Sequence, residues 1–400
     1  MKQIHPLKLP KIHLPLHLST ETLVMLIWTF YSSASCLFWV SNLKRSFAVD
    51  GVMKLCDFMT AGMLAVVFLF DKRIKSKEFI ALALFVSATA IVEIAVFNRD
   101  FAVMMLFMLC FMQIDFRKFI AFDMNLKIIW TALIILMCKA GIIRNFADYF
   151  NGTFKQSLGF QHPNTFAMFC FIILLEWLFL RYQNGKFIEM LAVPAVWLVV
   201  MKIAPARTTG FTFLGVYFLF LVARYFPGLY KSKIVRWGLT MVGSVVAVVS
   251  VLLTELYIAN NKFALKMNEI MTNRIQFQAL YWKTYPVRLF GGKIDTSSEV
   301  LVILDSGYIR CILTYGIVLS ALLCVFFSVL TYRALKNGHT GVALMVTFFL
   351  LMGFAETAML RLVMNVTFLA VFNRSCTGFS FSAPKFPVLN RILRRFRLSD

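Results

Sequence analysis

Acidic residues are scarce in this sequence: 19 Asp and Glu stand against 41 Lys and Arg, leaving a net charge of +22 over 400 residues. Charged side chains of both signs make up only 15% of the chain, hydrophobic ones make up 60%, and the mean hydropathy is +0.77. Soluble domains carry about 45–50% apolar and about 25% charged residues, so a soluble fold is excluded. A nucleic-acid surface falls with it, because in a membrane protein Lys and Arg collect in cytoplasmic loops beside anionic lipid. Paired cysteines are also missing. The eight cysteines stand singly and nearly all lie in apolar runs (Cys36, Cys56, Cys110, Cys138, Cys170, Cys311, Cys324), without CxxC or metal-ligand spacing. They read as small buried hydrophobes. Nucleotide loops, kinase signatures and Ser-His-Asp arrangements are lacking too. Without a soluble domain to hold a sugar nucleotide, the expected substrate is membrane-borne, and no cofactor or metal is expected.

What is present is apolar sequence in lengths that suit a bilayer. A span needs about 20 such residues. Qualifying segments begin near Leu23, Leu55, Phe79, Phe101, Leu126, Pro163, Phe187, Thr208, Val235, Tyr308, Gly341 and Leu360, the fourth and last being short. The expectation is an all-α, polytopic transmembrane helical bundle of about 12 spans, one integral membrane domain over residues 1–400. The leader "MKQIHPLKLPKIHLPLHLST" reads as a basic, Pro-broken approach to a full-length span and not as a signal peptide. With both termini cytoplasmic, segments such as "DKRIKSK", "DFRKFIAFDMNLK", "RYFPGLYKSKIVR" and the basic tail (374–400) hold about 24 of the 41 Lys and Arg. "NLKRS" (Lys44, Arg45) runs against this orientation. The same sidedness puts "LGFQHPN", "APARTTG", the long loop 259–307 and "ETAMLR" on the extracytoplasmic face.

Each of those outer motifs has a plain alternative. His162-Pro163-Asn164 opens a span, with Pro at the first helical position and His162 as its cap. It is either a simple helix start or a ligand site at a helix N-terminus. Arg207 in "ARTTGF" either snorkels to the interface or serves the site, since arginine at such depth costs a few kcal/mol unless it is satisfied. Thr208, Thr209 and Gly210 after it offer close backbone approach to a phosphate or sugar. In the long loop, "TNRIQFQALYWKTY" reads as a short interfacial helix capped by Thr272 or Asn273, with Arg274 in its first turn and Pro286 after it. Phe277, Tyr281, Trp282 and Tyr285 either anchor that helix at the interface or stack on sugar rings. Asp305 in "LDSGYIR" either caps a helix or engages a sugar hydroxyl, and Glu356 either pairs with Arg361 or completes a polar cavity. Glu93 and Glu176, deeper in their spans, read as bundle glue or as protonated lipid-facing residues.

In order along the chain, "GFQHPN", "ARTTG", "NR" and "FGG…LDSGY…TYG" resemble the Wzy-type polysaccharide polymerases of Gram-positive bacteria, a family related to O-antigen polymerases and ligases. The resemblance covers residues 145–365 and matches at Gly159, Phe160, His162, Pro163, Asn164, Arg207, Thr208, Arg274, Gly291, Asp305, Tyr308, Tyr315 and Gly316. It departs at Gln161, where the family has glycine, and at Ser306, where it has asparagine. The resemblance implies a metal-independent, inverting glycosyltransferase that joins undecaprenyl-pyrophosphate-linked repeat units into capsule or exopolysaccharide. The reaction would run at the outer face of a bacterial cytoplasmic membrane. In that frame Arg207 and Arg274 hold the departing diphosphate. His162 is the first choice to engage the acceptor hydroxyl, Asp305 the second and Glu356 a weaker one. Asn164, Thr208, Tyr281, Trp282 and Tyr308 would bind substrate. Implied partners are the lipid-linked oligosaccharides, membrane lipids, and flippase and chain-length regulator proteins. A ligase that moves finished glycan to another acceptor is the nearest alternative. A lipid-linked oligosaccharide flippase would show internal repeats and midplane charge, and a purely structural subunit leaves the outer Arg/His/Asp set without purpose.

Overall fold

The computed structural model describes residues 19–45, 49–70, 100–150, 153–294 and 304–378. Among these, seven helices are long and apolar enough to cross a membrane, the architecture of a multi-pass membrane protein. They are α1 (Thr20–Ser35, continued by a π-turn, Cys36–Val40), α2 (Asp50–Phe70), α4 (Phe116–Lys139), α5 (Pro163–Arg181), α7 (Arg207–Tyr225), α8 (Lys233–Ile258) and α11 (Gly307–Lys336). Shorter helices fill in around them: α3 (Asp100–Cys110), α6 (Phe187–Ile203) and α12 (Thr340–Met352), with α9 (Lys262–Ile270) and α10 (Arg274–Thr284) in the long loop. Exposed apolar side chains such as Phe58, Leu136, Phe211 and Val248 mark the faces that lipid would cover.

Three expectations change, and others fall where the structure is not described. The span expected near Phe79, like Glu93, the leader and the tail from residue 379, lies outside the described residues. "DFRKFIAFDMNLK" is not a loop but the first half of α4. Asp115 caps that helix by accepting from the Arg117 and Lys118 amides at 2.9 and 3.1 Å. Its Asp123 and Lys127, four residues apart on one face, are fully buried and meet Glu176 of α5; Lys127 bridges both carboxylates, and Trp28 Nε1–H donates to Asp123 at 2.8 Å. Glu176 is therefore bundle glue. The apolar run near Leu360 is no span. It forms two 3-10 turns (Thr357–Leu360, Val366–Ala370) and a one-turn helix, α13 (Arg374–Thr377), all packed inside protein. Irregular backbone survives there because asparagines supply partners: Asn373 Nδ2 donates to the Phe111 and Ile114 carbonyls at 2.9 and 2.8 Å, and Asn365 Nδ2 to Met359 at 2.9 Å. Finally, an antiparallel hairpin interrupts the helices: β1 (Ala147–Phe150) pairs with β2 (Thr153–Gln156), with Asp148 opposite Lys155.

Two ends of the bundle can be told apart. At one, Arg181 at the end of α5 pairs with Glu189 at 2.7 Å, and Arg224 at the end of α7 donates to the Tyr182 and Gly185 carbonyls at 2.8 and 2.7 Å. The first turns of α5 and α7, with His162 and Arg207, thus lie together at the other end. That end also carries the hairpin and the long loop.

Candidate functional site

The "LGFQHPN" segment is pinned before it reaches its helix. Leu158 and Gly159 both take positive φ (48° and 89°), and a Cβ at Gly159 would sit 2.7 Å from that of Cys138, so glycine is what allows the chain to lie on the end of α4. The Gly159 carbonyl accepts from the Asn42 amide at 2.8 Å, and the Gln161 amide donates to Val40 at 2.9 Å, joining the segment to the end of α1. Gln161, where the resemblance expects glycine, is half-buried and held by this bond. His162 then caps α5, with Pro163 at the first helical position; its exposed ring accepts the Asn164 amide proton on Nδ1 at 3.1 Å and stacks on Phe146 beside the hairpin. With the Nδ1 lone pair used, the neutral ring carries its proton on Nε2 and offers the site a donor. Asn164 follows, half-buried in the first turn.

Arg207 is the first residue of α7, exposed and without an acidic partner among the described residues; Thr208 follows, half-buried. Gly210 serves packing and not ligand approach: Met201 fills the space a Cβ would need, and Trp197 Nε1–H donates to its carbonyl at 2.8 Å.

In the long loop, Thr272 and Asn273 both take positive φ, which turns the chain from α9 into α10. Neither side chain caps the helix. That work falls to Asn268, which accepts the Gln276 amide at 2.9 Å and donates to Asn273 at 3.1 Å. The turn delivers Arg274 to two carboxylates. Its Nη1 and Nη2 each lie 3.0 Å from Glu356 Oε1, Nη1 also donates to the Ala355 carbonyl, and Nε is 3.6 Å from Asp305 Oδ2. Arg274 and Glu356 keep only 12% and 11% of their side-chain surface, whereas Asp305 keeps 33% and is the open member. Burial pushes the Asp305 carboxyl above the usual carboxylate range, against the pull of the Arg274 and Arg310 guanidiniums.

The helix cap there is Ser306, whose hydroxyl accepts the Ile309 amide at 3.4 Å, so Asp305 is left for other duties. Arg361 does not pair with Glu356; its guanidinium lies over the Trp39 ring, 4.9 Å from the centroid.

A pair of glycines holds this loop in place. Gly316 (φ 85°) breaks α11, so that the amides of Ile317 and Val318 donate to the carbonyls of Arg288 and Leu289 at 3.1 Å. A Cβ on either Gly291 or Gly316 would run into the other segment's backbone. The "FGG" and "TYG" matches are thus two halves of one joint.

Two residues expected to bind substrate, Tyr281 and Tyr308, turn inward instead, and a third, Trp282, is half-buried. Tyr281 is fully buried in a small core with Leu304, Ile309 and Leu313. The Tyr308 hydroxyl donates to the Leu350 carbonyl at 2.8 Å, and Trp282 Nε1–H to Glu255 at 2.7 Å, which ties α10 to the last turns of α8.

One residue was passed over. Lys155 of β2 is half-buried within electrostatic reach of both Arg207 and Arg274, linking the hairpin to α7 and α10. Burial, and after it the two guanidiniums, pushes the Lys155 ammonium below its usual range. The site is thus a cationic rim of Lys155, Arg207 and Arg274, backed by Glu356 and opened by Asp305, with the His162 cap at the same end. No group of His, Cys, Asp and Glu with metal-binding geometry occurs among the described residues. Comparisons with protein-family models, curated proteins and solved structures found no match to this chain.

Proposed function

We propose that this protein is a membrane-embedded glycosyltransferase that joins polyprenyl-diphosphate-linked repeat units into a longer polysaccharide at the outer face of a bacterial cytoplasmic membrane. The observation that carries the reading is convergence: Arg274, Asp305 and Glu356, drawn from three stretches of a long sequence, meet in one ion network, and Lys155 links that network to Arg207. A cationic rim beside an accessible carboxylate is the chemistry that displacement of a diphosphate by a sugar hydroxyl requires.

In this reaction the acceptor hydroxyl oxygen attacks the anomeric carbon of the donor sugar. The bond from that carbon to the diphosphate oxygen breaks, and the diphosphate leaves with the electron pair, inverting the centre. Asp305 takes the hydroxyl proton: it is the more open carboxylate of the network, and partial burial raises its basicity. His162 donates through Nε2–H to a sugar or phosphate oxygen, because its Nδ1 is committed to the Asn164 amide. This moves the base from His162, the first choice on sequence, to Asp305. The rim cations stabilise the charge that grows on the leaving diphosphate.

The test is the pattern of lipid-linked glycans in cells that lack the protein. Single repeat units accumulating outside the membrane support the polymerase. Long chains left on the lipid carrier would make it a ligase, and units trapped on the cytoplasmic side would make it a flippase; either pattern overturns the proposal.

A further inference from the structure

The end of the bundle opposite the rim carries a second group of cations, where α7 gives way to α8. The chain crosses between them on a 3-10 turn, Pro227–Lys231, pinned by the buried Tyr230, whose hydroxyl donates to the Leu219 carbonyl at 2.7 Å. Lys231 and Lys233 are thereby left exposed at the start of α8, with Arg236 in its first turn. Positions 233, 236, 237 and 240 share one helix face. That face meets α11: the Trp237 ring lies 5.6 Å from that of Tyr332, and Ser328 Oγ donates to the Thr240 carbonyl at 2.9 Å. The Arg236 guanidinium rests over the same Tyr332 ring, 5.8 Å from its centroid. Its polar contacts are slight: Nη2 reaches the Lys231 carbonyl at 3.5 Å, and Nε has no acceptor. None of the three cations has an acidic partner among the described residues. Stacking occupies only the flat face of a guanidinium, so its N–H edge stays available to an anion.

Two apolar rows lead away from this cluster toward the middle of the bundle. On α8, Met241, Val245 and Val248 follow Trp237 at helical spacing; on α11, Val329, Val325 and Leu322 follow Tyr332 in the same way, and all six are exposed. The start of α8 meets the end of α11, so the two helices run antiparallel and both rows fall on one side of the pair. We propose that this is a binding site for one anionic phospholipid, with its phosphate on Arg236, Lys231 and Lys233 and its acyl chains along the two rows. The site is independent of the transfer reading above. Arg236 supplies the fork that a phosphate accepts, and the lysines add point charges beside it. A zwitterionic lipid brings its own ammonium against three cations, whereas an anionic head does not; each Lys or Arg near a membrane surface favours anionic lipid by about fivefold. The ligand is a lipid and not a free phosphate, because the rows below the cations are apolar, open and in line with them.

The test uses the full-length protein in detergent micelles, titrated separately with phosphatidylglycerol, phosphatidylcholine and glycerol 1-phosphate, and read by native mass spectrometry and melting temperature. Phosphatidylglycerol should bind most tightly and raise the melting temperature. Arg236→Gln should weaken its binding roughly ten- to a hundredfold, and Arg236→Lys should recover only part, since it restores the charge without the fork. Lys186→Gln removes an exposed charge from the same end of the bundle and should leave the affinity unchanged. Trp237→Ala, at a side chain 54% exposed, should weaken binding severalfold and carries the test if Arg236→Gln does not fold. Equal affinity for phosphatidylcholine, equal losses in Arg236→Gln and Lys186→Gln, or unchanged binding in Arg236→Gln and Trp237→Ala overturns the site. Glycerol 1-phosphate bound as tightly as the lipid overturns the lipid source. A dimer that retains no lipid and is broken by Trp237→Ala assigns the face to a second copy of the chain and overturns the proposal. None of these outcomes bears on the transfer reading.

Discussion

The protein contains two networks of the same composition, each with one cation between two carboxylates, and they differ in access. Asp123, Lys127 and Glu176 are fully buried between α4 and α5. Arg274, Asp305 and Glu356 sit at the end of the bundle that carries the hairpin and loop, with Asp305 one-third exposed and two further cations in reach of the cluster. Buried ion pairs are weak contributors to net stability but expensive to break. The inner network thus fixes how helices meet, while the outer one has an open side on which chemistry can occur. Charge inside a membrane protein does not by itself mark a site; a partly open carboxylate in a cluster of cations at the end of the bundle points to one.

The largest expected effect tests the inner network. Lys127→Met leaves two facing carboxylates with no counter-charge and should cost about 3–5 kcal/mol, enough to collapse folded yield in detergent. Adding Asp123→Asn and Glu176→Gln should restore both fold and glycan synthesis, since the network's only task is packing. If the triple variant folds but makes no polymer, the contrast between the two networks breaks down.

At the outer network the same logic should fail. Arg274→Ala is expected to lower glycosyl transfer by about a hundredfold or more, in line with the loss of one preorganised electrostatic group. Neutralising Asp305 and Glu356 alongside it should recover melting temperature but not activity, as measured by incorporation of lipid-linked units into polymer. Recovery of both would reduce the outer network to glue.

A smaller effect concerns the joint that supports that network. Gly316→Ala adds a Cβ at positive φ against the backbone of Leu289 and Gly291, and strain of this kind costs about 1–3 kcal/mol. The expected result is a lower melting temperature with a further loss of transfer rate, because the joint anchors the loop to the helix that follows Asp305. Gly215→Ala, on an open face of α7 with nothing within 4 Å, is the control and should change neither.

These contrasts explain what sequence could and could not reveal. Span helices such as α5 and α8 announce themselves by length and apolarity, and the His162 cap by the proline after it. The apolar run near Leu360 misled because hydropathy does not distinguish residues facing lipid from residues enclosed by protein; Asn365 and Asn373 were the clue that irregular backbone needed partners. The start of α4 was lost because charge was taken for solvent exposure, though the Asp123–Lys127 spacing matches a helical pair and Glu176 required a partner. For the hairpin, the sequence "ADYFNGTFKQ" holds an Asn-Gly dipeptide between alternating segments, the usual two-residue hairpin signal, and reading it would have exposed Lys155. The meeting of Arg274 with Glu356 crosses more than eighty positions, and no local pattern encodes it.

The smallest effect is a pH dependence confined to the outer site. Burial first, and then Arg207 and Arg274, hold the Lys155 ammonium below its ordinary value of 10.5. In the window between the lowered value and 10.5 the unfolded chain binds this proton and the folded chain does not, so stability rises with pH there; it is lost again as pH falls through the folded value. Lys155→Gln removes the term. Its melting temperature should lose ground to the wild type's as pH climbs through this window. Inner-network variants that fold, such as the neutral triple variant, should still show the wild-type rise, since Lys155 and its two arginines are intact in them. A melting difference between wild type and Lys155→Gln that stays flat across the window would mean that Lys155 is not half-buried beside the two arginines, and the rim would then be reduced to Arg207 and Arg274.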